Sequence, residues 1–584
     1  MSIVRHTMCR PISSPCRRYY SDDFLRVASC TSSPSSSRRR SRIPPAQPPM
    51  TSLSARIAFP VLPAARQVLP RRCFHDYFVT HLPSSSMHPD SRVGPGHKLP
   101  RDASTPHDAS AENQAGATPA PALPPNVGNR DLTVVRIPMR RAKHHFGQAN
   151  SRGTRPYNED TDAVGTINMP AFAKKAPVSI QRSTMHSMGV ATTADSAYGD
   201  PQVFYFGVFD GHGGSQCSEF LRDELHGYIE EAAVTLGLKS SLKKPSVARS
   251  MASMADPSLE PPEPPKETID TLQLCKDLVY EYKQAIGGYF RRFVPKYFID
   301  MYQAEPPIHA TLETVLMYAF LRADLDFVRA QARLPDDDST ISDKPLNADE
   351  FLGAPNHVPP SGHGIGSSVR FKGGSTASIA MISTPTPAPF WHPKTASSLV
   401  VAHVGDTRVI LCETMTGQPR PMTSDHHPSM PSEERRLRRY APATSLVSGD
   451  SFGEERIAGL ANSRAFGDMQ SKRIGVSAEP EITRVDMGPA EYSFLVLVSD
   501  GVSGTLSDQE IVDVIKEART PEQGARDVIN YATEVSSDGD NATCLVVRLG
   551  GWERRQEGGV GSFGTKEMRD MRREEALNPR SRRR

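Results

Sequence analysis

Five carboxylate-bearing turns punctuate the 584-residue chain: Glu159-Asp160, Asp210-Gly211-His212-Gly213-Gly214, Gly405-Asp406-Thr407-Arg408, Ser499-Asp500-Gly501 and Gly539-Asp540-Asn541. Each adjoins a stretch of β-forming apolar residues. The second is the most developed: Val203 to Phe209 predicts a short strand buried on both faces. A carboxylate and an imidazole just past its end are held rigidly and still reach solvent, and the glycines let backbone and ligand approach closely. Taken singly, each turn is explained by ordinary Asp-Gly or Asx chemistry. Taken together, carboxylates at the same ends of packed strands repel one another unless cations lie between them. Hard oxygen ligands without cysteine select Mg²⁺ or Mn²⁺ over zinc. Two such ions about 3.5–4 Å apart clamp the attacking and leaving oxygens of an in-line displacement at phosphorus and make hydroxide available.

The elements that must position these groups follow from periodicity. Thr376 to Ser383, Ser398 to Val404 and Thr407 to Cys412 read as strands joined by loops too short for a crossover helix, so they pair antiparallel. Phe494 to Val498 and Cys544 to Leu549 are two more apolar strands. Leu312, Val315, Leu316, Ala319, Phe320, Ala323 and Phe327 share one helical face, and Ser218 to Thr235 carries another. Leu272 to Phe298 predicts a helix up to a break at Pro295. Ser507 to Glu510 forms a capping box before the face Ile511, Val514, Ile515, Ala518, and Thr520-Pro521 opens a further helix. Antiparallel strands with helices before, between and after them predict an α+β fold of sheets layered by helices.

Charge is unevenly distributed. Residues 1–75 hold 13 Arg, no Lys and only Asp22 and Asp23 as acids, the tail 551–584 has 10 basic and 6 acidic residues, and the middle is acidic by difference from the net +3. A domain that binds nucleic acid through its fold shows the opposite layout, so no nucleic-acid partner is expected. No run of about eighteen apolar residues exists, so no membrane span is expected. The 1–75 composition is that of a mitochondrial targeting presequence with a cleavage point near Arg71-Arg72-Cys73-Phe74; an unstructured basic arm is the alternative. Residues 76–134 read as a disordered linker, 135–550 as one domain with insertions near 239–267 and 334–370, and 551–584 as a charged basic tail. Cys217, Cys275, Cys412 and Cys544 form no CxxC pair and read as buried small hydrophobes.

The order of the motifs adds a second line of argument. Arg155-x-x-Asn-Glu-Asp160, Asp210-Gly-His-Gly-Gly214, Gly374-Ser-Thr-Ala377, Val404-Gly-Asp-Thr-Arg408 and Asp425-His-His-Pro428 are followed by Ser463-Arg-Ala-Phe-Gly-Asp468, Glu479-Pro-Glu481, Ser499-Asp-Gly501 and Asp540-Asn541. In this order, over about residues 145–550, the chain resembles the metal-dependent protein serine/threonine phosphatases of type 2C. The resemblance implies two antiparallel sheets packed as a central sandwich flanked by helices, and a monomer acting on phosphorylated proteins. It implies two Mg²⁺ or Mn²⁺ ions per subunit: Asp210 bridging both with the Gly211 carbonyl, Asp500 and Asp540 on one, Glu159, with Asp160 beside it, on the other. Arg155 would grip the phosphate and His212 would protonate the departing alkoxide. Asp406 would serve a third ion, whose usual partner acid is replaced by Gly504, so that ion is left short of a ligand. The resemblance also places Arg435, Arg436 and Arg438 near the substrate rim; a solvated helix face is the plainer reading of them. Some fungal members with a similar leader are mitochondrial, which makes phosphorylated matrix enzymes such as pyruvate dehydrogenase candidate substrates by resemblance, with a cytoplasmic location as the alternative. The rival function is a catalytically inactive fold that binds phosphoproteins as a scaffold, and the loss of one metal carboxylate would mark it.

Overall fold

Val203 to Phe209 forms the seven-residue strand expected, and every residue in it is buried. The computed structural model describes residues 77–83, 132–139, 144–175, 192–193, 196, 198–243, 271–303, 310–334, 359–361, 365, 369–438, 447–449, 455–457, 459–536, 539–555 and 562–577. In chain order the strands are β1 (Tyr77–Pro83), β2 (Leu132–Pro138), β3 (Phe146–Ser151), β4 (Thr161–Ile167), β5 (Thr192–Thr193), β6 (Val203–Phe209), β7 (Gly211–His212), β8 (Gly374–Ser375), β9 (Ala377–Ser383), β10 (Ser397–Val404), β11 (Arg408–Glu413), β12 (Pro419–Pro421), β13 (Val447–Gly449), β14 (Glu455–Ile457), β15 (Phe466–Gly467), β16 (Glu481–Met487), β17 (Tyr492–Val498) and β18 (Ala542–Arg548). The helices are α1 (Gln216–Thr235), α2 (Thr271–Ala285), α3 (Lys296–Gln303), α4 (Leu312–Ala332), α5 (Pro431–Arg438), α6 (Met469–Lys472), α7 (Asp500–Ser503), α8 (Asp508–Glu517), α9 (Pro521–Val535) and α10 (Ser562–Leu577).

Two five-stranded sheets carry the fold, in the orders β16-β10-β9-β6-β4 and β12-β11-β17-β18-β3. Every pairing within them is antiparallel. Strand alternation sorts the side chains into layers. Phe204, Phe206 and Val208 of β6 meet Val409, Leu411, Leu495, Leu497, Leu545 and Val547 of the second sheet in the core between the sheets. The intervening Val203, Tyr205 and Phe209 face the other way, onto α1 and α4. In the second sheet Ile410, Cys412, Val496 and Val498 turn outward onto α8 and α9. Each such side chain, taken out of water, contributes about 1.5–3 kcal/mol. The sandwich with helices outside is therefore the α+β architecture expected.

Helix ends also match their signals. Thr311 caps α4 by accepting from the Thr314 amide, and Ser507 and Glu510 form a complete capping box on α8. The cysteines at 217, 275, 412 and 544 are free and buried.

Three expectations are corrected. The segment 76–134 is not all linker, because β1 pairs with β2 and with β5 in a third sheet, and Phe78 sits with Phe204 and Trp391 in the aromatic core. The tail 551–584 is not merely charged chain: α10 docks on α8 and α9, with Arg569 on Glu517 and Arg572 on Glu510 and the Thr505 carbonyl. Residues 272–298 are not one helix. α2 ends at Ala285, and Gly287 and Gly288, both at positive φ, lead into a 3₁₀ turn over Gly288–Arg292 before α3. Of the two insertions, 244–270 and 335–358 lie outside the described residues. Their flanks pack on the domain, Ser241 against the Ala171 and Ala173 carbonyls and Ser361 against Glu224.

Candidate active site

β6 delivers Asp210 to the end of the first sheet, and the other acids arrive at the same end from turns that follow β10 and β17. Among the described residues, Asp210, Asp406 and Asp500 form a group whose carboxylate oxygens lie within 4.8 Å of one another. The Asp500 amide donates to Asp210 Oδ2 at 3.4 Å. Asp160 stands beside them, nearly fully buried; its Oδ2 accepts from the Ser499 hydroxyl at 2.8 Å and the Thr543 hydroxyl at 2.9 Å, while Oδ1 is buried with no partner.

So many acids in one place cannot all ionise as they do in water. Burial, and then the charges of Asp500, Asp160 and Asp406, hold the Asp210 carboxyl well above the usual range. Burial and the charge of Asp406 push Asp500 up to about 7. Burial pushes Asp160 up to about 6 against its two hydroxyl bonds, and raises Asp406 against a bond from Asn462 and the charge of His427.

The backbone around these groups is built for close approach. The Asp210 carbonyl accepts from the Thr376 amide and the Ser375 hydroxyl, which pins the end of β6 to β8 and β9. A Cβ at Gly211 would stand 2.5 Å from the Glu159 carbonyl oxygen. The Asp406 turn is held from behind by His426, whose Nδ1 accepts from the Gly405 amide at 3.0 Å.

Glu159, Arg155 and Asp540 lie on the rim and outside that trio. Arg155 Nη2 donates to Asp540 Oδ2 at 2.7 Å, with both side chains partly exposed. Asn541 anchors this rim: its Nδ2 donates to the Arg152 and Tyr157 carbonyls, and its Oδ1 accepts from the Glu159 amide. The Asp540-Asn541 pair was legible as a motif; that Asn541 ties down the loop bearing Arg155 and Glu159 was not.

His212 Nε2 lies 2.9 Å from both carboxylate oxygens of Asp468. Burial alone would lower the His212 pKa, but the bond and charge of Asp468, with Asp406 and Glu159 farther off, bring it above its ordinary value. Asp468 is thus a site residue that sequence reasoning placed in a motif without a role.

Gly504 sits one residue past α7. A Cβ there would stand 2.9 Å from the Asp500 carbonyl oxygen, so a side chain at 504 would shift the turn that carries Asp500. Asp508 does not replace it, since both its oxygens accept from Arg408, at 2.8 and 3.1 Å. Of the three arginines on α5, Arg435 and Arg438 are exposed. Arg436 is mostly buried, bonding Glu433, the Tyr289 hydroxyl and the Gly475 and Ser463 carbonyls, so the solvated-face reading fails for it.

An antiparallel sandwich with a buried carboxylate cluster at one end is a site able to collect hard divalent cations. Comparison with known proteins makes this specific. Residues 361–540 match the family model for protein phosphatase 2C. The chain is 30% identical over 424 residues to protein phosphatase 2C homolog 4 of Schizosaccharomyces pombe, spanning 72% of this chain and 84% of that one. It is 33% identical over 188 residues to the mitochondrial protein phosphatase 1K of Xenopus laevis, covering 32% of this chain and 46% of that protein. A serine-threonine phosphatase 2C from Toxoplasma gondii aligns over 69% of this chain and 94% of its own, at 17% identity and a TM-score of 0.38. The chain belongs to the protein phosphatase 2C family, whose members are metal-dependent protein serine/threonine phosphatases.

Proposed function

We infer that this chain hydrolyses phosphoserine and phosphothreonine in proteins with two Mg²⁺ or Mn²⁺ ions, and that it works in mitochondria. The observation that carries the reading is the carboxylate group of Asp210, Asp406 and Asp500 with the unpartnered Asp160 Oδ1 beside it. Acids this close and this buried are stable as anions only with cations among them. The donor set is all oxygen, which fits these two metals.

Asp210, the Gly211 carbonyl, Glu159, Asp160, Asp500 and Asp540 would hold the two ions, with Asp406 toward a third, for which Gly504 supplies no carboxylate. When bound, such ions supply hydroxide at neutral pH and neutralise charge on the phosphoryl oxygens. The chain's own residues do the rest. Arg155, partly exposed on the rim, is placed to bind phosphate oxygens through its planar fork, exchanging Asp540 for the substrate. His212, partly exposed at the site, donates a proton to the leaving serine or threonine oxygen, which is a poor leaving group without it.

Assaying a phosphoserine peptide with Mg²⁺ or Mn²⁺ and with EDTA tests the reading. Turnover should need the metal and should be nearly abolished in Asp500→Asn. Full activity in EDTA would refute it. For the location, residues 1–75 fused to a passenger should direct it into mitochondria, and a cytosolic passenger would overturn that part. Their arginine-rich, nearly acid-free composition and the likeness to a mitochondrial relative support it.

A further inference from the structure

Three two-residue strands make a ribbon of their own, in the order β15-β8-β7. Gly374 of β8 pairs with His212 on one side and with Gly467 on the other. This places the residue after Gly467, Asp468, across the ribbon from His212. The central strand has to be glycine there: a Cβ on Gly374 would lie 2.3 Å from Asp468 Oδ2, and one on Gly373 would lie 2.1 Å from the His212 carbonyl oxygen.

Asp468 itself is held in an unusual conformation. It is left-handed, at φ 43 and ψ 48, and is one of two non-glycine residues with positive φ among those described. Such a conformation persists only where the surroundings over-determine it. Here they do. The Asp468 amide donates to the Gly373 carbonyl at 2.9 Å. The preceding Gly467 amide donates to Asp324 Oδ1 at 3.0 Å, and Asp324 is fully buried on α4. Lys472, also fully buried, bonds the same Asp324 oxygen at 2.8 Å and the Ala465 carbonyl at 2.7 Å, while the Tyr282 hydroxyl takes Asp324 Oδ2 at 2.9 Å. A buried ion pair thus clamps the loop on both sides of Asp468.

The geometry points to Asp468 as the positioning residue for His212, with the Asp324–Lys472 pair fixing Asp468 in turn, so that Nδ1 of His212 is the atom that serves the leaving oxygen. An ionised carboxylate only accepts, so the proton on Nε2 is committed to Asp468 and the ring cannot turn it toward substrate. Nδ1 is the nitrogen left. In the step, hydroxide forms a new P–O bond as the P–O bond to serine breaks, Nδ1–H passes its proton to the departing serine oxygen, and the imidazole is left neutral with its remaining proton on Nε2. Asp468 orients the ring throughout and exchanges no proton. This inference rests on the reading of His212 as proton donor made above.

The test compares a phosphoserine peptide with p-nitrophenyl phosphate, whose phenolate leaves without a proton, on the Mn²⁺-loaded full chain. Asp468→Ala should lose about 10–10²-fold in kcat on the peptide and about threefold or less on the aryl phosphate. Asp468→Asn should fall between wild type and Asp468→Ala, because asparagine tolerates the left-handed backbone and its oxygen still accepts from Nε2–H. The double variant His212→Ala/Asp468→Ala should be no slower on the peptide than His212→Ala alone, since Asp468 acts through that ring. Equal losses of Asp468→Ala on both substrates, as a merely structural role would give, or additive losses in the double variant, overturn the proposal. If His212→Ala itself shows no preference between the substrates, the proton-donor reading fails. Histidine ¹⁵N NMR, taken at a pH where the ring is neutral, then reads the geometry alone: neutral His212 should be the Nε2-protonated tautomer in wild type and lose that preference in Asp468→Ala. An Nδ1-protonated tautomer in the wild type would overturn the positioning itself.

Discussion

Replacing Asp210 by Asn should make the metal-free protein more stable while removing its response to cations. Asp210, Asp406 and Asp500 bring their oxygens within 4.8 Å of one another. Two unit charges at that separation repel by ~3.5 kcal/mol at an effective dielectric of about 20. Asp210 takes part in two such pairs, so full ionisation would put ~7 kcal/mol of repulsion on it. Proton uptake caps this, since Asp500 is already pushed up to about 7 and shares the strain by binding a proton. A net gain of about 2 kcal/mol is what remains for the isosteric Asn, which keeps an oxygen to accept from the Asp500 amide. In a domain of about 400 residues that is a rise of about 2 °C in Tm. Wild type should behave in the opposite way: a cation at about 100 times its Kd stabilises by about 2.7 kcal/mol. Calorimetry in EDTA and in saturating Mg²⁺ should therefore show the variant melting above wild type without metal and below it with metal. If Asp210→Asn melts lower in EDTA, or if Mg²⁺ still raises its Tm, the acids are not a self-repelling cation site.

Three other outcomes follow from particular contacts. Arg155→Lys should raise KM for a phosphopeptide severalfold with Tm almost unchanged, because its pair with Asp540 is largely exposed and contributes about 0–1 kcal/mol; a kcat loss at constant KM would count against phosphate binding. Burial and then the charge of Arg464 hold the His426 pKa down at about 4, against 6.5 in the unfolded chain, so its contribution to stability is complete above pH 6.5 and is lost as pH falls toward 4. Urea midpoints should drop over that window, and His426→Asn should flatten the slope; an unchanged slope would show that another group titrates. Arg572→Ala should loosen α10, costing about 1 kcal/mol and speeding hydrogen exchange across residues 562–577, and unchanged exchange there would mean its bonds to Glu510 and Thr505 do not hold the helix.

Much of the site was readable before any coordinates because its information is local. An acid next to glycine, just past a run such as Val203 to Phe209, can be recognised within a dozen residues, and so can a capping box such as Ser507 to Glu510. Two edges of the domain were not readable in this way. β1 and α10 lie beside tracts poor in hydrophobic periodicity, and each is stabilised by partners far along the chain. Val79 donates to Gln202, and Arg572 reaches Glu510.

The sequence by itself determined which residues carry charge, where strands stop, and that the strand connections force antiparallel sheets. Only the tertiary structure decided which acids share a site. It brought the Asp406 carboxylate within 4.8 Å of those of Asp210 and Asp500, and paired Asp540 with Arg155 across 385 residues. It also brought Asp468 to His212, 256 residues away, over a glycine that leaves room for both. The physical reason is the range of the interactions. Turn chemistry and periodicity act over a few residues and are written in the local sequence. A hydrogen bond between side chains depends on strand register and on the absence of a single Cβ, and these exist only once the sheets have packed.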